Sequence, residues 1–204
     1  ESPITPHHLP RIALSHPDEQ EAIPLAFRAD LLTLHLARLG QAATLKHALI
    51  DDACHVNYEH AGPTPAVAVL LGKPASAEDI LRTVQGVLAR ADGFPASILL
   101  PRTADAPPSV RDCLAQLAGL DSPNIRILDV ADARPSAVFN PLAEAATAPL
   151  LLLLDCGLMP LDDGWLQALA GHARRPGIGA VGGRIVAPDG SLCEGLVRLG
   201  QGGI

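Results

Sequence analysis

The feature that most limits what this chain can fold into is a rhythm that sets in at Val67. Short apolar runs alternate with amphipathic stretches from there to Ala173. Val67–Leu71, Ala96–Leu100, Ile125–Val130 and Leu150–Leu154 are too short for helices and carry little of the alternation of a half-wet strand. They read as strands covered on both faces of a sheet. Ser76 followed by Asp79 gives a capping box ahead of Ile80, Leu81, Val84, Val87, Leu88 and Ala91, which share a helical stripe. Val110–Leu117 and Ala137–Thr147 supply two more helices. Trp165, Leu166, Leu169 and Ala173 form the apolar side of another, with Trp165 as its packing anchor. Asp162 and Asp163 favour its start by offsetting the positive end of the helix dipole, and Pro176 stops it.

Strand, helix, strand, helix with short links predicts an α/β fold, a mostly parallel central sheet flanked by helices on both faces. Leu150–Leu154 is expected as a central strand closed by Asp155. Sheets of this kind bind ligands beyond the carboxyl ends of their strands, near the point where strand order reverses. Functional residues are therefore expected after Leu71, Leu100, Val130 and Leu154.

Ahead of the rhythm the pattern differs. Residues 1–21 are rich in Pro and His and read as an irregular arm. Ala22–Leu39 is helical, with Leu25, Leu32, Leu36 and Leu39 on one face, Phe27, Leu31 and Leu34 beside it, and Gly40 placed to end it in a left-handed residue. Ala42–Ala48 and Cys54–Tyr58 are short strands about an Asp51–Asp52 turn, and Glu59–Pro65 is a connector. The expected division is an N-terminal appendage over residues 1–62 and a main domain over 63–204.

Aromatic residues make up only 2% of the 204 residues, so Leu, Val, Ile and Ala must fill the core. The net charge of −7, with Lys and Arg scattered singly, argues against nucleic acid as the main partner. The longest apolar run, Pro149–Leu154, is far short of the ~20 residues of a membrane span, so no transmembrane segment is expected. Cys54, Cys113, Cys156 and Cys193 form no C-x-x-C pair and no zinc spacing with histidine. Reduced thiols in a cytoplasmic protein are the expectation.

Gly177-Ile178-Gly179-Ala180-Val181-Gly182 matches the dinucleotide fingerprint but lacks its context, a strand before and a helix after. The glycines read instead as close backbone approach around a strand through Ile178–Val186. Pro188-Asp189-Gly190 is turn chemistry, returning Ser191–Leu199 as a hairpin partner.

The stretch Leu150–Leu154, Asp155-Cys156-Gly157-Leu158-Met159-Pro160 resembles the strand and D-x-D loop of family 2 glycosyltransferases. Trp165-Leu166, Arg175 to Gly183, Pro188-Asp189-Gly190 and Gly195 to Gly200 follow in the order seen in rhamnosyl- and O-antigen-type members. Phe139-Asn140 resembles the helix start upstream, and Ala22–Gly40 the piece preceding the catalytic domain in multi-domain members. The resemblance implies a GT-A fold, a nucleotide-diphosphate sugar donor, and transfer to a glycan or lipid-linked acceptor. It implies Mg²⁺ or Mn²⁺ held by carboxylates, because a hard cation neutralises the leaving diphosphate. Carried onto this sequence, the donor-binding residues are Leu71, Gly72, Lys73, Asp105, Asp129, Asp155 and Gly157, with Asp155 as the metal ligand.

Against that pattern, Cys156 and Gly157 stand where acidic or amide residues are usual. Leu71-Gly72-Lys73 replaces a Pro-Thr opening, Pro101-Arg102 replaces a base-recognising Asp, and the sequence ends at Ile204 before a catalytic base. A glycosyltransferase-like domain, inactive by itself, is the first reading. A non-catalytic binding or scaffold module of the same fold is the alternative, and an unrelated doubly wound nucleotide-binding enzyme is a third. Residue by residue, plainer readings stand beside these: Asp155 closing a strand, Cys156 filling a buried gap, and Lys73, Asp105 and Asp129 as solvated surface charges.

Overall fold

A computed structural model describes residues 25–47, 54–91 and 93–194. The irregular arm, the Asp51–Asp52 turn and the Gly195–Gly200 string lie outside the described residues. The chain divides into two compact units, residues 1–56 and 57–204.

In the first unit, α1 (Leu25–Arg38) ends as its sequence dictates. Gly40 takes φ +66°, and Gln41 N–H donates back to Leu36 O at 2.9 Å, closing the last turn. Of the predicted apolar face, Leu36 is buried and Leu32 half-buried, while Phe27, Leu31, Leu34 and Leu39 are exposed. β1 (Ala43–His47) and β2 (Cys54–Tyr58) pair as a two-stranded sheet, with the division between the units falling within β2.

The second unit is the predicted α/β layer structure. Its parallel sheet contains β3 (Val67–Leu71), β4 (Ala96–Thr103), β5 (Ile125–Val130) and β6 (Leu150–Leu154), in the order β5-β4-β3-β6. The chain steps outward from β3 to β4 to β5, then returns to the far side of β3 as β6. Strand order therefore reverses between β3 and β6. Side-chain alternation divides the core accordingly. Val67, Val69, Leu71, Ile98 and Leu100 face Ile80, Val84 and Val87 of α2 (Ala77–Ala89), Val110, Leu114 and Leu117 of α3 (Pro108–Gly119), and Leu166 of α5 (Trp165–Ala173). Ala68, Leu70 and Leu99 face Val138 and Leu142 of α4 (Pro135–Ala145).

Several expectations need correction. β6 is an edge strand among the described residues, not a central one. Leu150, Leu152 and Leu154 pack against the cluster under α2 and α3, but Leu151 and Leu153, at 46% and 58% exposure, lie on the α4 side of the sheet, outside the cluster that α4 covers. β4 runs on to Thr103, so Pro101 and Arg102 sit inside a strand. Pro101 is tolerated because Ile98 donates toward Asn124 O on the β5 side; by alternation Pro101's missing donor faces β3, whose pairing with β4 stops at Leu70–Leu99. Phe139 and Asn140 lie in mid-α4, and α5 starts at Trp165 with Gly164 as its cap, leaving Asp162 and Asp163 outside. Only Ile185–Val186 (β7) of the predicted Ile178–Val186 strand forms, pairing antiparallel with β8 (Leu192–Glu194) across the predicted turn. Nor do the glycines before it mark close approach: a Cβ on Gly177, Gly179 or Gly182 would meet nothing within 4 Å.

No helix among the described residues is long and apolar enough to cross a membrane.

Candidate functional site

Where strand order reverses, the ends of β3 and β6 meet. Gly72 N–H donates to Leu154 O at 2.9 Å, holding the two strand ends together as they separate into loops. The carboxylate of Asp155 then lies over the Gly72 backbone. A Cβ at Gly72 would stand 2.9 Å from Asp155 Oδ1 and 3.6 Å from Phe139 Cζ. Space rather than backbone conformation favours glycine here, since Gly72 is buried and has no positive φ. Asp155 is exposed. The predicted residues Gly72 and Asp155 are thus brought together, and Phe139 of α4 reaches the same spot, on the α4 side of the sheet.

The loop after β6 is seated by a stripe of α2 that periodicity alone did not single out. Asp79, Thr83, Gly86 and Arg90 recur three or four residues apart, so they share one side of the helix. Asp79 Oδ1 would be 3.2 Å from a Cβ at Gly157, and buried Thr83 accepts the Gly157 N–H at 2.8 Å. Gly86 leaves room for Met159 and Pro160, whose side chains would stand 3.1 and 3.3 Å from its Cβ. Arg90 O accepts the Trp165 indole N–H at 2.8 Å, which fixes the start of α5. Ser76 and Asp79 form the expected box: Ser76 Oγ accepts from Asp79 N–H at 3.1 Å and donates to Asp79 Oδ2 at 2.8 Å. Gly157 itself has φ +103°, a conformation that side-chain-bearing residues rarely adopt.

Cys156, between these contacts, is half-buried, and burial first, then the Asp79 charge, pushes its thiol up to about 11. It stays protonated at neutral pH and supplies no thiolate. Iodoacetamide at pH 8 is therefore expected to modify exposed Cys193 well before Cys156, whose rate should still be rising steeply with pH at about pH 10. Peptide mass spectrometry over a pH series reads this out, and equal rates at pH 8 would contradict it.

The remaining predicted residues form two ion pairs along the strand ends. Lys73 Nζ donates to Asp105 Oδ2 at 2.6 Å, joining the loops after β3 and β4. Arg102 grips Asp129 through Nε and Nη2 at 2.6 and 2.9 Å, at register-paired positions of β4 and β5. Asp129 thus lies within β5 and not beyond it. The hydrogen bonds from Lys73 and from Arg102 hold the Asp105 and Asp129 carboxyls below the usual range. Whatever these exposed pairs contribute is present above the unfolded carboxyl value near pH 4 and is lost as pH falls through the lowered ones. Leu71 is wholly buried, so only its backbone reaches the strand end. Two shallow hollows follow the β4 and β5 ends. One, of about 310 Å³, is lined by Arg102, Thr103, Ala104, Arg111, Asp129 and Val130. The other, of about 240 Å³, carries Asp105 and Asp132. Neither is lined by Asp155.

Among the described residues no three His, Cys, Asp or Glu side chains converge as metal donors. Asp155 stands alone over Gly72, and Asp79 is engaged by Ser76, so the donor set is a poor fit to a carboxylate-held cation.

No protein-family profile matches the chain. It is 27% identical over 179 residues to the O-antigen biosynthesis protein RfbC of Myxococcus xanthus, a match covering 84% of this chain and 13% of that protein. It is also 25% identical over 144 residues to the uncharacterized protein y4gI of Sinorhizobium fredii (strain NBRC 101917 / NGR234), covering 69% of this chain and 16% of that one. The chain spans less than a fifth of the length of these curated relatives. Among solved structures, the mannosyltransferase PcManGT from Pyrobaculum calidifontis, in complex with GDP-Man and Mn²⁺, aligns with a TM-score of 0.48 at 13% identity over 74% of this chain and 41% of that one.

Proposed function

We propose that this chain is a glycosyltransferase-like, donor-binding domain that holds a nucleotide-diphosphate sugar at the strand ends of its parallel sheet, in the service of transfer to a glycan or lipid-linked acceptor. The observation that carries this reading is the juxtaposition of Gly72 and Asp155 at the point where strand order reverses, the place where open α/β sheets bind ligands. Sequence likeness to an O-antigen biosynthesis protein supports the same direction, as does the resemblance of Leu150–Pro160 to the donor loop of family 2 enzymes with a GT-A fold. In this reading residues 63–204 form the working domain. The nucleoside lies over the hollow between Arg102, Arg111 and Asp129, which is within the size range of small-molecule sites. The diphosphate runs toward Gly72 and Lys73, with the backbones of Leu71 and Gly157, Asp105 and Asp155 around it.

Gly157 favours a second reading, a binding or scaffold module without catalysis, because a glycine stands where the resemblance implies an acid. The two share the donor site and differ in turnover. Thermal unfolding in the presence of UDP, GDP, dTDP and CDP tests what they share. A nucleotide at a hundred times its Kd is expected to add about 2.7 kcal/mol of stability. Absence of any shift at millimolar concentrations would count against both. Release of free sugar from a stabilising donor then separates the first reading from the second.

A further inference from the structure

We infer that the site offsets the charge of a bound diphosphate with Lys73 and not with a carboxylate-held divalent cation; this rests on the donor-binding reading above. Among the described residues, a cation at the junction of β3 and β6 would find one protein ligand, Asp155. Mg²⁺ bound so sparsely takes nearly all its other ligands from phosphate and water, so the protein adds little selectivity for the metal.

The loop is also built against a second carboxylate. At Gly157 the φ of +103° disfavours any side chain, and a Cβ would come within 3.2 Å of Asp79 Oδ1. An aspartate there would be strained and would meet a like charge. Asp79 cannot readily turn to the metal instead. It belongs to the Ser76 cap, and Arg82 lies 3.7 Å from its Oδ1. Lys73, by contrast, directly follows Gly72. It is partly exposed and paired with an exposed Asp105, an ion pair that water already weakens. A diphosphate arriving over Gly72 replaces Asp105 as its partner, exchanging one carboxylate for a more highly charged anion without a net desolvation of the ammonium. Without a cation to hold, the Asp155 carboxylate lies near the incoming phosphates as a like charge. Its removal should then help binding.

Isothermal titration with whichever nucleoside diphosphate stabilises the protein tests this, in EDTA and again in Mn²⁺ or Mg²⁺. Affinity is expected to be the same within about twofold in both, to fall about tenfold in Lys73→Gln, and to hold or rise in Asp155→Asn. Gly157→Asp is expected to lower the melting temperature and to create no Mn²⁺ dependence, with Asp79→Asn added to it recovering part of the loss. Binding that drops tenfold or more in EDTA and returns with Mn²⁺, or that is lost in Asp155→Asn, overturns the inference while leaving the donor site in place. Failure of every nucleotide to bind under either condition overturns the donor-binding reading and this inference with it.

Discussion

Gly72→Val is expected to abolish the response to nucleoside diphosphates, weakening affinity on the order of a hundredfold or more, while the protein remains folded. The geometry behind this is direct. The Cβ alone would already be 2.9 Å from Asp155 Oδ1 and 3.6 Å from both Asp155 Cα and Phe139 Cζ. Two further methyl groups occupy the space over the β3–β6 junction that a diphosphate requires. Gly72→Ala should lie between the two, because the atom it crowds most is the end of a side chain that can swing aside. Overpacking typically costs about 1–3 kcal/mol, so the valine variant should melt lower yet still cooperatively. Melting curves with and without nucleotide check both parts. A valine variant that binds as tightly as the parent would place the ligand elsewhere.

The second large effect concerns the seat of the loop on α2. Thr83→Val leaves the Gly157 N–H without its acceptor, at a cost of about 1–3 kcal/mol for a group held out of water. Gly86→Val drives a branched side chain into Met159 and Pro160, where a Cβ already stands 3.1 and 3.3 Å away. Overpacking there costs about 1–3 kcal/mol, less a few tenths regained from better helix propensity. Both changes act on the same loop, so the double variant should fall short of the sum, at about 3 kcal/mol. Denaturant unfolding of the single and double variants measures it. Strict additivity would mean that Thr83 and Gly86 support separate parts of the structure. Both changes are also expected to weaken nucleotide binding, by loosening the Gly157 backbone that borders the proposed diphosphate site.

Much of this architecture was legible in the sequence, for identifiable reasons. Each parallel strand is a short apolar run, and the Ser76–Asp79 box marks the start of α2 to the residue. The turn at Pro188–Gly190 correctly brings β8 back onto β7. What escaped the sequence depends on partners distant in the chain. Leu81 and Leu88 read as core but are exposed, whereas Thr83 and Gly86 are buried. A polar residue and a glycine carry no apolar signal, and the loop that buries them lies some seventy residues onward. The edge position of β6 was hidden for the converse reason. Its five leucines look uniformly buried, but only every other one meets the core. At the site, the resemblance to a D-x-D loop pointed to Gly157, while its left-handed backbone and its neighbour Asp79 come from packing. The Lys73–Asp105 and Arg102–Asp129 pairs need the register of three strands, which no local pattern encodes.

The proposed place for a nucleoside diphosphate is the junction of β3 and β6. Backbone amide NMR during titration with UDP or GDP addresses it at single-residue level. The largest shifts are expected at Gly72, Lys73 and Asp155, with smaller ones at Thr103–Asp105. Shifts confined to other parts of the chain, with those amides unmoved at saturation, would contradict it.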